Sequence, residues 1–67
     1  MAAFRFHLVG VHQPIELEVE ASAIREVAEI LTRQRFIEGH LSRSDENGVL
    51  LGMLLSTYRI ECVCEIE

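Results

Sequence analysis

Residues 4–20 read FRFHLVGVHQPIELEVE, and this stretch decides the fold. Phe4, Phe6 and Leu8 alternate with Arg5 and His7; Ile15, Leu17 and Val19 alternate with Glu16, Glu18 and Glu20. Successive side chains of a strand point to opposite faces, so each run has one dry and one wet side. Two such runs joined by a short link containing Gly10 predict an antiparallel hairpin. With residues 10–13 as the loop, Leu8 lies opposite Ile15, Phe6 opposite Leu17 and Phe4 opposite Val19. The wet face then pairs His7 with Glu16 and Arg5 with Glu18. A slip by one residue would mix the faces, so the pattern fixes the parity of the register.

Downstream, Ser22 is the expected helix N-cap. Ile24, Val27, Ala28 and Leu31 form an apolar stripe at helical spacing, with Glu26 near the start and Arg33 near the end to complement the helix dipole. Extending the helix to Glu38 would place that carboxylate on the stripe, so the helix ends near Gln34 or Arg35. RFIEGHLS (35–42) reads as a third strand, RSDENG (43–48) as a turn, GVLLGMLLSTY (48–58) as a fourth strand, and RIECVCEIE (59–67) as a fifth reached through a tight turn at Ser56 to Tyr58. The third and fourth strands are expected to pair Ser42 with Val49, Leu41 with Leu50, Ile37 with Leu54, and Gly39 with Gly52. The order is ββαβββ: an α+β fold, one amphipathic helix on an antiparallel sheet, in a single domain spanning residues 1–67.

The fourth strand is apolar on both sides. Val49, Leu51, Met53 and Leu55 point one way; Leu50 and Leu54 point the other. One helix covers part of one sheet face, and a chain of 67 residues buries only about 60% of the surface its unfolded form exposes. Self-association is the expected remedy, with Leu50, Leu51, Met53, Leu54 and Leu55 as the interface. Asp45, Glu46, Arg59 and Glu61 flank the segment as gatekeepers against aggregation. The closing strand, tight turn and strand are similar in outline to small barrels of the Sm type. The order of elements differs and no signature residues match, so no residue roles follow.

The net charge is −5, with six Arg and no Lys. That balance argues against nucleic acid, which is bound largely through cations on phosphates, and against anionic membrane surfaces. Arg33, Arg35 and Arg43 are the only hint of a basic cluster. Arg5 and His7 interrupt the N-terminal apolar run, so no signal peptide is expected, and no run approaches the length that spans a bilayer. The expectation is a soluble cytoplasmic protein.

Cys62 and Cys64, two apart on a strand, point the same way. With His7, His12 or His40 they would make a soft-metal site, but sharing a face with Ile60 and Ile66 they read first as small core hydrophobes. Glu61 and Glu65 beside them would raise the thiol pKa values. Glu38, His40 and Ser42 share a strand face without forming a relay from nucleophile to base to acid. His40 near a partner interface would be a weak pH sensor. Glu16, Glu18, Glu61 and Glu65 would form an acidic patch if their strands are adjacent, suited to a basic protein partner. No glycine-rich phosphate loop occurs. No catalytic or cofactor-binding residue and no metal ligand is assigned. The functional expectation is a non-catalytic, self-associating interaction module; the alternative is a metal- or redox-binding protein using Cys62 and Cys64.

Overall fold

A computed structural model describes residues 2–44, 46–48 and 50–66. Strands β1 (Ala2–Leu8) and β2 (Ile15–Val19) precede helix α1 (Ile24–Arg33); strands β3 (Phe36–Ser44), β4 (Leu50–Ser56) and β5 (Ile60–Glu65) follow, with a 3₁₀ turn at Thr57–Arg59 before the last. The five strands form one sheet in the order β4-β3-β2-β1-β5, every neighbouring pair antiparallel. The expected ββαβββ α+β architecture is what the chain adopts.

The hairpin keeps its expected parity but not its expected register. Phe6 lies opposite Ile15, Phe4 opposite Leu17 and Ala2 opposite Val19. The shift is two residues: pairing stops at Phe6 with Ile15, leaving residues 7–14 between the partners, where the expected register leaves 9–14 between Leu8 and Ile15. A shift of two keeps Phe4, Phe6, Leu17 and Val19 on the same side, and all four are buried. It changes the wet face: Arg5 now faces Glu16, donating from its guanidinium to the carboxylate at 3.0 Å. Both side chains are exposed, so this ion pair contributes about 0–1 kcal/mol.

Helix α1 ends where its stripe predicts, with Gln34 as C-cap. Its N-cap is Ala23, not Ser22. Glu26 reaches back instead: its carboxylate accepts from the Ser22 hydroxyl at 2.5 Å and from the Ser22 backbone N–H at 3.2 Å. Those hydrogen bonds lower the Glu26 pKa. Val27 is buried over the sheet, with Ile24, Ile30 and Leu31 partly buried around it; Ala28 is exposed. At the other end of the molecule's connections, the Thr57 hydroxyl donates to the carbonyls of Gln34 and Arg35 at 2.8 and 3.0 Å, tying the 3₁₀ turn to the link between α1 and β3.

Strands β3 and β4 pair one residue away from expectation: Ile37 opposite Leu55, Gly39 opposite Met53, and His40 opposite Gly52. The two glycines therefore do not face each other. A one-residue slip exchanges faces, and it puts Leu55 into the core beside Ile37. The register shifts again between His40 and Ser44. The expected Ser42–Val49 pairing and the Asp45 gatekeeper involve positions outside the described residues.

Of the two glycines in the sheet, Gly39 is the tightly packed one. A Cβ there would lie 2.5 Å from the Glu18 carbonyl oxygen and 2.8 Å from Leu17 Cγ. The close approach is made by β2 within the chain, not by an outside group. Gly39→Ala is expected to destabilise the fold by about 1–3 kcal/mol. At Gly52 a new Cβ would meet only the Gly39 carbonyl oxygen, at 3.8 Å, so Gly52→Ala should be neutral or stabilising by up to about 1 kcal/mol. Denaturant titration of both variants compares them; equal losses would contradict this packing.

Candidate functional site

The residues that matter chemically lie on the face of the sheet away from α1. Their placement follows from a β-bulge. His7 is opposite Cys62, but Leu8 is opposite Ile60, so Glu61 is an extra residue on β5. The bulge resets the alternation of the last strand. Ile60 and Val63 both pack towards the core, and Cys62 and Cys64 are turned outward, where both are exposed. The expectation of core cysteines is thus overturned: strict alternation from Ile60 fails at Glu61.

On β1, the two-residue shift of the hairpin takes His7 beyond the last paired position of β2, which is Phe6 with Ile15. The imidazole, expected opposite Glu16, faces Cys62 across the other edge instead. The donor atoms of His7, Cys62 and Cys64 all lie within 4.8 Å of one another, and His7 is half-buried. The Cys62 thiol is pushed to higher pKa, first by partial desolvation, then by the Cys64 thiol through charge and hydrogen bonding, and least by Glu61. The thiol form therefore persists to higher pH than for a free cysteine.

A disulfide between the two cysteines is disfavoured by the strand itself. At about 3.3 Å per residue, Cα atoms two apart are about 6.6 Å from each other, near the upper limit of disulfide geometry. A shared ligand needs no such contraction.

The remaining candidates are dispersed. Glu38 and His40 share the outer face of β3, while the Ser42 side chain lies outside the described ones. His40 faces Glu18, its Nδ1 3.9 Å from the carboxylate, too long for a hydrogen bond. That Nδ1 is buried without a hydrogen-bond partner. His12 is exposed in the hairpin loop. The carboxylates do not gather into one patch: β1, with Arg5 and His7, separates β2 from β5. Glu65 is opposite Phe4, on the other side of the sheet from Glu16. Sequence reasoning missed Thr57, whose two carbonyl contacts carry no residue-type signature.

On β4, Leu50, Leu51 and Leu54 are exposed, and Met53 is partly buried against the core. Leu55 is only 6% exposed and belongs to the core, not to an outer surface. Among the described residues no helix is long and apolar enough to cross a membrane. Compared with protein-family models, curated proteins and solved structures, the chain matches none of them.

Both cysteines are expected to react with a thiol reagent in the native state without unfolding. Cys62 should reach half-maximal rate above the ordinary thiol pKa, and Cys64→Ser should lower that midpoint only in part, because desolvation is the leading cause. Rates of native-state labelling against pH, read by mass spectrometry, check this; slow labelling matching global unfolding would contradict the exposed placement.

Proposed function

We propose that the protein is a small, non-catalytic interaction module that self-associates through the β4 edge. The observation that carries this reading is an apolar edge strand with three exposed leucines, Leu54 at 62%, Leu51 at 50% and Leu50 at 48%. An edge strand presents unpaired backbone N–H and C=O groups, and native proteins protect it with charge, proline, bulges or a cover. LLGMLLS, the whole of β4, has no charge and no proline. The opposite edge is finished differently: β5 carries a bulge, Glu61 and Glu65. The two edges call for different treatment, and only β4 gains by pairing.

A second β4 is the complementary partner, since closed two-fold dimers bring one surface against itself. An antiparallel pair with its axis at Gly52 sets Leu50 opposite Leu54 and Leu51 opposite Met53, apolar against apolar on both faces. The net charge of −5 on each chain opposes association only weakly, because no charged residue lies within β4.

Light scattering on a size-exclusion column, over a wide concentration range, should give twice the 7.6 kDa chain mass. Leu50→Glu with Leu54→Glu should weaken the dimer at least about tenfold, or 1.4 kcal/mol. Their circular dichroism should match the unaltered chain, since neither side chain is in the core. A monomer at every concentration would overturn the reading, as would a dimer indifferent to both substitutions.

A further inference from the structure

We propose that His7, Cys62 and Cys64 form a binding site for a thiolate-seeking d¹⁰ cation, Zn²⁺ above all, with one imidazole nitrogen and two sulfurs as ligands and a fourth position open to solvent or an outside ligand. The site is separate from the β4 edge: β1 and β5 lie at the other end of the strand order.

Three observations carry it. The first is the donor set. Two thiols and an imidazole have their ligand atoms mutually within 4.8 Å. Tetrahedral zinc, with sulfur at about 2.3 Å and nitrogen at about 2.0–2.1 Å, holds its ligand atoms roughly 3.5–3.8 Å apart. The adjustment needed is about 1 Å, within reach of side-chain rotation at exposed positions. Soft sulfur ligands with imidazole select zinc or monovalent copper over magnesium or calcium.

The second is rigidity. All three ligands stand on paired strands, not on loops. His7 and Cys62 are direct cross-strand partners, and Cys64 follows one pleat along on the same face. A site on strands keeps its geometry better than one on loops.

The third is freedom from competing partners. Among the described residues, no ion pair or hydrogen bond to another side chain holds the His7 imidazole. Arg5, the cross-strand neighbour of Cys64, places its guanidinium on the Glu16 carboxylate of β2 at 3.0 Å. Two thiolates side by side repel each other; a divalent cation between them neutralises both. Binding converts the two thiols to thiolates and releases their protons to solvent, with no change of oxidation state.

The test uses the full chain, stripped with chelator under a metal-free reductant and titrated with Zn²⁺ against a chromophoric competitor. The expected result is one Zn²⁺ per chain at micromolar affinity or tighter. Cys62→Ser and Cys64→Ser should each weaken binding at least about a hundredfold, and His7→Gln at least about tenfold. His40→Gln, on the same face but two strands further from β5, should leave it unchanged. Should a variant lose its fold by circular dichroism, Co²⁺ added to the unaltered chain gives an independent readout. Thiolate-to-cobalt charge-transfer absorption with tetrahedral visible bands supports the site. Cobalt bound without sulfur absorption, Zn²⁺ affinity weaker than micromolar, or affinity unaffected by loss of His7 would each overturn it.

Discussion

A helix of ten residues is about 15 Å long, and among the described residues it is the only helix over one face of a five-stranded sheet. Four inter-strand spacings of about 4.8 Å make that sheet about 19 Å wide before twist. A single helix, about 10 Å across, cannot close such a surface. What it does cover is the middle: Phe4, Phe6, Leu17, Val19 and Ile37 are buried together with Val27 of the helix, and Leu55 brings in the near end of β4. Beyond Leu55 the cover fades. Met53 is partly buried and Leu51, on the same side, is half exposed. Even on the β5 side an open cleft of about 170 Å³ remains between Ile24, Leu31 and Val63. The core holds no buried polar or charged residue among the described ones, so its stability depends on apolar burial alone.

The same shortage of cover explains why the two edges differ. On β5 an extra residue at Glu61 bends the strand and its carboxylates face water, which is how a native edge resists further pairing. On β4 itself no charged residue is present, the irregularity in its pairing with β3 lies between His40 and Ser44 of β3, and its leucines spread over both faces. The bulge has a second consequence. By inserting one residue before Cys62 it turns two small apolar-compatible side chains out of the core and brings them to the imidazole of β1. One local departure from regular pleating both closes an edge and assembles a group of donor atoms.

Element order, and face parity in β1, β2 and α1, were legible in the residues because they depend on periodicity over five or more positions, and a few misplaced residues cannot hide it. Phe4, Phe6, Leu17, Val19 and Val27 are buried as their periodicity requires. Register was less legible. The link from Val9 to Pro14 contains Gly10 at φ 80°, a turn residue, yet nothing in its composition says whether Ile15 pairs with Leu8 or, two residues back on the same face, with Phe6. For β3 and β4 the doubly apolar pattern of LLGMLL is itself the difficulty: a one-residue slip exchanges leucines for leucines, so alternation cannot choose. The bulge at Glu61 was invisible for a third reason. A charged residue fits an outward position of a regular strand as well as it fits a bulge, and the exposure of Cys62 and Cys64 turned on that one residue.

These features bear on how so small a chain holds its last strand. Strand β5 is joined to the sheet through β1 alone, and its partners lie at the far end of the sequence: His7 and Cys62 are separated by 62 − 7 = 55 positions. Contacts of that span are closed against the largest loop entropy in the fold, which grows as the logarithm of loop length. A cation held between His7 and the two cysteines would cross-link those strands at the same place. Its binding free energy, available only where β1 and β5 are paired, would add to folding stability. Self-pairing of β4 acts at the other end of the sheet on a different weakness, the leucines that one helix cannot reach. The two proposals answer two separate deficits of one undersized core, and neither requires the other.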